Sequence, residues 1–184
     1  MTGTNPSRAW LKLGLVILVL ATTIHVLAVW AIPRIITGMF IRRVSTQAGV
    51  NTVILPPLPT DKSRGVVKPS PDLLYALCVF DVSAGPARIT AQPPGGYWSL
   101  ALYDRNSDNF FNLNDRDAKG GAVELILAMA GADTGLKAKY PSAVIVRPTS
   151  SSGVLLARSL VLDPASMQDI VAARSQTRCE AIKE

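Results

Sequence analysis

The chain has 184 residues, 48% of them hydrophobic but only 6% aromatic, which allows one ordinary domain plus an extra element. Its net charge of +6 is concentrated at the front: residues 1–50 carry Arg8, Lys12, Arg34, Arg42 and Arg43 and no acid, while the remainder holds 14 basic and 13 acidic residues. Charge that brackets an apolar run reads as membrane flanks and excludes a nucleic-acid-binding face.

Residues 1–12 form a short basic tail. Leu13 to Ile32 then runs for twenty residues without a charge, and at 1.5 Å per residue this matches the roughly 30 Å hydrocarbon core of a bilayer. Trp10 and Trp30 lie near its ends, where indoles favour the interface. A cleaved signal peptide is the competing reading. Its apolar region is usually only about 7–15 residues, and the best cleavage candidate here, Val29-Trp30-Ala31, has a bulky Trp in the middle. The expectation is therefore one uncleaved transmembrane helix over 13–32. The basic residues on its two sides are nearly balanced. A short basic tail before a first helix favours the amino terminus inside and the carboxyl-terminal domain outside.

Within this run, Gly14, Leu18, Ala21, His25, Ala28 and Ile32 alternate steps of four and three, a packing seam with small residues that let another helix approach. His25 is the only histidine. It is either a polar contact on that seam or an incidental side chain in an anchor, and the sequence leaves both open. Pro33 is expected to end or kink the helix. Residues 33–44 then form either a short interfacial helix with arginines reaching anionic headgroups or a bent continuation of the anchor. Residues 45–71, with Pro56, Pro57, Pro59, Pro69 and Pro71 and the polar cluster Thr60 to Gly65, are expected to be an extended spacer.

From residue 72 to 184 the texture changes to short apolar runs between turn residues. The runs are Leu73–Val82, Ala87–Ala91, Tyr97–Tyr103, Ala122–Met129, Ala143–Arg147 and Val154–Leu162, the last two read as a hairpin. The spacing suggests a mainly β fold, an antiparallel β-sandwich of jelly-roll-like kind. Ala122–Ala130 also has helix-favouring composition. Asp163-Pro164 reads as a helix start, with Met167, Ile170, Val171 and Arg174 forming a C-terminal amphipathic helix.

Several of these stretches together resemble a known family. Ser70-Pro71-Asp72-Leu73-Leu74-Tyr75, Asp81-Val82-Ser83-Ala84-Gly85-Pro86, Tyr97-Trp98-Ser99, Asp104 to Phe111, Arg147-Pro148-Thr149 and Leu156-Ala157-Arg158-Ser159-Leu160 are similar, in this order, to the bacterial domain of unknown function 1254 family. The resemblance covers roughly residues 66–170 and implies an antiparallel β-sandwich. It also points to a short, membrane-anchored branch often found with a sibling protein carrying a 1214 domain. Larger members typically read Ser-Pro-Asn before the Asp, where this chain has Ser70-Pro71 directly before Asp72.

With one histidine, placed in the apolar run, the domain holds no Ser-His-Asp or Cys-His device and no imidazole zinc site. It also lacks a Gly-x-Ser-x-Gly elbow and a Walker-type phosphate loop. No cofactor is implied. Asp104, Asn106, Asp108 and Asp115 echo the ligand spacing of a calcium loop, although Asn109 replaces the turn glycine; a hydrogen-bonded connection between strands is the alternative. Asp72, Tyr75, Arg88, Tyr97, Tyr103, Asp104 and Arg147 form a candidate polar pocket, set against a role in bracing turns and sheet edges. If the domain lies outside the cytoplasm, Cys78 and Cys179 are candidates to bridge the first strand to the final helix; a buried thiol at Cys78 is the alternative. The sequence therefore describes a bitopic membrane protein acting as an envelope interaction module. Its partners would be the lipid bilayer and either a second copy or the 1214-type sibling. A membrane-tethered enzyme or small-ligand module using the tyrosine and carboxylate set is the rival.

Overall fold

The computed structural model of the chain describes residues 6–63, 69–132 and 135–182; residues 1–5 of the basic tail and 64–68 of the expected spacer lie outside these. Its first element is a single helix, α1, Pro6–Ala48, of 43 residues, about 65 Å long. The helix neither ends nor divides at Pro33, so the separate juxtamembrane helix is replaced by a continuation. Proline withholds one N–H but its φ is compatible with helix, and membrane helices tolerate it where nearby groups serve the freed backbone. Beside the Val29 carbonyl that Pro33 leaves without its helical donor, the Arg34 guanidinium folds back over the Trp30 ring at 4.6 Å and donates to the neighbouring Trp30 carbonyl at 2.5 Å. From Leu13 to Ile32 the large side chains of α1 are exposed, and the helix is long and apolar enough to cross a membrane.

Gly49 ends α1 with φ +84°, its N–H bonding back to the Ser45 carbonyl at 2.9 Å, a turn that a side chain would strain. Two residues later the chain is already clipped to the domain. Asn51 N–H donates to the Val79 carbonyl at 2.8 Å. Its side-chain amide exchanges two hydrogen bonds with the backbone of Asp81, at 2.8 and 2.9 Å. Strand β1, Val53–Ile54, follows at once. The expected spacer over 45–71 is thus a helix end, an asparagine clip and an edge strand in its first ten residues.

The domain is a sandwich. One sheet has five strands in the order β1-β2-β8-β4-β5, with β2 Leu73–Asp81, β4 Trp98–Asp104, β5 Asn109–Asn114 and β8 Ser152–Leu160. The other has four in the order β7-β6-β3-β9, with β3 Ala87–Ala91, β6 Val123–Leu127, β7 Val144–Val146 and β9 Arg178–Ala181. Alternating side chains of both sheets meet in one filled core around Phe80, Trp98, Leu100, Leu102, Ile89, Leu125 and Leu155. Gly153 is required there: a Cβ would lie 2.2 Å from the Tyr103 carbonyl and 2.5 Å from the Phe80 ring. A smaller cluster on the outer side of the four-stranded sheet packs Ile126, Ala128 and Ala143 beneath Leu136 of the single-turn helix α3, Leu136–Lys139.

The apolar run Ala122–Met129 holds strand β6, in spite of its helix-favouring composition. Three local expectations change. β7 and β8 do not form a hairpin: β7 pairs parallel with β6, while β8 crosses to the other sheet between β2 and β4. The stretch after Asp104, read as a loop, contains β5 and the one-turn helix α2, Asp115–Ala118, capped by Asn114. The C-terminal helix α4, Met167–Ser175, is present, but it begins after a turn in which Asp163 accepts the Ser166 N–H at 2.8 Å, and it is followed by β9.

Candidate functional site

The two cysteines are bonded. Cys78 on β2 and Cys179 on β9 form a buried disulfide between facing sheets, so the bridge reaches the last strand and not the helix before it. Nearby, the outer edge of β2 is closed by three devices in succession. Asn51 serves Val79 and Asp81, β1 pairs with Leu77 and Cys78, and Arg174 of α4 donates to the Tyr75 carbonyl at 3.2 Å and the Pro56 carbonyl at 2.7 Å. Unpaired edges invite association with other chains, and this closure removes one. Burial pushes the Arg174 guanidinium below its ordinary pKa, and its Nε has no hydrogen-bond partner.

The seven candidate pocket residues do not converge. Tyr75, Tyr97 and Tyr103 share the outward face of the five-stranded sheet, because β2 and β4 alternate in register with β8. There they accompany Arg158, whose Nε–H donates to Ser99 Oγ at 3.2 Å, and Tyr97, whose hydroxyl lies 3.5 Å from the same oxygen. Tyr75 accepts the Ser70 N–H at 3.0 Å. Asp72 is exposed ahead of β2, and Arg147 is exposed in the crossover before β8. Arg88 belongs to the opposite sheet. It pairs with Glu124 at 2.8 Å, approaches Glu180 at 3.9 Å and lies 5.8 Å from the Tyr140 ring centre.

Asp104 is buried and spent on turn closure. One carboxylate oxygen accepts the N–H groups of Asn106 and Asp108 at 2.7 and 3.1 Å, and the other accepts the Thr149 hydroxyl at 2.6 Å. The calcium-loop spacing fails for a topological reason. Asp104 ends β4, whereas Asp115 follows β5 and lies beside Trp98, where β4 begins, so the two acids sit at opposite ends of one hairpin, roughly 20 Å apart.

Two shallow clefts flank β9. One of about 270 Å³ runs between Asn51–Leu55 and Thr177–Glu180, and one of about 550 Å³ is lined by Val50, Asn51, Arg88, Tyr140 and Glu180–Ile182. Of the seven candidates, Arg88 alone lines either. The seam residues Gly14, Leu18, Ala21, His25, Ala28 and Ile32 all fall on α1; Leu18 and Ile32 are 63% and 52% exposed. Sequence reasoning missed Asn51, Ser99, Arg158 and the structural part played by Arg174. Strand alternation points to Arg158 facing Tyr75, but nothing local marks Asn51 as a clip.

A family model described as Protein of unknown function (DUF1254) matches residues 50–181. The chain belongs to this family. The match starts where α1 ends, so the DUF1254 domain comprises the clip, both sheets and the last strand. The VPA0106 protein from Vibrio parahaemolyticus, a solved structure, is similar with a TM-score of 0.65 at 16% identity, covering 84% of this chain and 36% of that one. An uncharacterised protein from Burkholderia cenocepacia is matched at a TM-score of 0.48 and 18% identity, covering 78% of this chain and 40% of that one. The chain thus spans well under half the length of either, and the first likeness shows a shared fold. No curated protein matches the chain.

Replacing Asp104 by Ala should strand donors from Asn106, Asp108 and Thr149 and lower unfolding stability by about 2–3 kcal/mol in urea titration. Calcium should leave the wild-type midpoint unchanged; a calcium-dependent rise would contradict the turn-closing role.

Proposed function

We propose that this DUF1254 chain is an uncleaved single-pass protein of the bacterial inner membrane whose domain faces the periplasm and works by association. The observation that carries this reading is the continuity of α1. The helix runs unbroken through the Val29-Trp30-Ala31 cleavage candidate and into the asparagine clip, with Val44 buried where α1 meets β2. A leader cut at Ala31 would leave seventeen residues of helix, 32–48, on the mature domain. The buried disulfide supports an oxidising compartment. A tethered enzyme would need the tyrosines, carboxylates and arginines to meet, and Arg88 lies on a different sheet from Tyr75, Tyr97 and Tyr103.

A reporter active only outside the cytoplasm, fused after Glu184, should be active. Activity of a cytoplasm-only reporter at the same position would overturn the compartment.

The partner in the membrane, on this reading, is a second copy docking along the seam of Gly14, Ala21, His25 and Ala28, with the 1214-type sibling as the heteromeric counterpart. His25→Leu should leave insertion intact and reduce photocrosslinking from a probe at Leu18 by about 3-fold or more, the effect of one intramembrane hydrogen bond. An unchanged yield would make His25 an incidental side chain.

A further inference from the structure

The last turns of α1 present different environments on opposite sides. Val44 is buried and Phe40 and Ala48 are partly shielded, on a helix that also touches β2. At about 100° per residue, Ile32, Ile35, Ile36 and Met39 gather on the other side of the helix. These four are 52–60% exposed, forming an unbroken row of large apolar side chains. Such a row is unusual for a surface that faces water.

We infer that this row is seated in the headgroup layer of the bilayer, so that the domain rests on the membrane surface instead of standing off on a spacer. The inference rests on the anchor reading and adds a depth and an orientation to it. First, the row continues the apolar surface of Leu13–Ile32 without interruption, because the helix passes through Pro33. Second, the charge is complementary to anionic lipid. Arg42 and Arg43 lie one turn beyond Met39, and no acid precedes Asp61 in the chain. Helical side chains lean toward the amino terminus, so Arg42 and Arg43 reach back along the row, with aliphatic stems on its apolar surface and guanidinium groups at phosphate level.

Third, the depth fits. Met39 is seven residues past Ile32, about 10 Å along the axis. The headgroup region adds about 5–8 Å on each side of the core, and a helix tilted toward the row brings Met39 within it. That tilt leaves the opposite face, with Val44, free to carry the domain. The asparagine clip then holds the domain at the helix end with no extended segment to let it rise.

The test uses the full chain reconstituted in vesicles of phosphatidylcholine and phosphatidylglycerol, with single fluorophores at Met39→Cys, Leu20→Cys and the exposed domain residue Leu162→Cys. At Met39, quenching by aqueous acrylamide should be several-fold weaker than at Leu162, and quenching by a headgroup-borne nitroxide several-fold stronger. Acrylamide quenching at Met39 equal to that at Leu162 would place the row in water and overturn the inference. Protection of Met39 from both quenchers would overturn it: the second copy docked on the same face of α1 at Gly14–Ala28 would then extend over the row. The Leu20 label separates the two levels of the account. If it is open to acrylamide, the anchor reading fails and this inference with it; if it is protected while Met39 is wet, the seating alone fails.

Discussion

Cys78 and Cys179 belong to facing sheets, and their bond fastens the side of the sandwich where both sheets run out of strands. β9 has four residues and one neighbour, β3, so hydrogen bonding alone gives it little hold. The bond closes a loop of about 100 residues, which in the chain-entropy model contributes about 4.7 kcal/mol. It also returns the end of the matched domain to β2 at Cys78, one position from the Asn51 anchor point on Val79. Both the entry of the chain into the domain and its last strand are therefore fixed on the same part of β2.

This arrangement couples the anchor to the fold. Asn51, β1 and Arg174 close the outer edge of β2 from Asp81 back to Tyr75, using a side-chain amide, a two-residue strand and a guanidinium in turn. Each supplies partners to backbone groups that would otherwise face solvent or another chain. Because the closure starts two residues beyond the helix-ending Gly49, the direction of α1 is passed to the domain with little freedom between them. With α1 as the proposed anchor, this coupling gives the domain a defined face toward the bilayer.

Much of this was legible from residues. The twenty uncharged residues before Pro33 announced a long apolar helix, and the apolar runs containing Leu73–Asp81, Ala87–Ala91, Trp98–Asp104 and Ser152–Leu160 announced strands. Period-two alternation does put Tyr75 and Tyr103 on one face. β5, Asn109–Asn114, was hidden because asparagines at three of its six positions imitate a loop; its strand character comes from pairing with β4. Taking that stretch for a loop also created the calcium-like spacing that the hairpin then pulled apart. β9 has no local signal, since Arg178, Glu180 and Ala181 are exposed and only Cys179 turns inward. The supposed hairpin failed because adjacency in sequence says nothing about which sheet a strand joins when the intervening turn, held by Thr149 on Asp104, crosses the sandwich.

The claim that joins fold to function is that the domain matures in an oxidising compartment on the far side of the membrane crossed by α1. Alkylating the protein in intact cells with a thiol reagent, followed by non-reducing electrophoresis, tests it most directly. The account predicts no alkylation of the native chain and labelling of both Cys78 and Cys179 only after reduction in denaturant. Two free thiols in the native protein would contradict it.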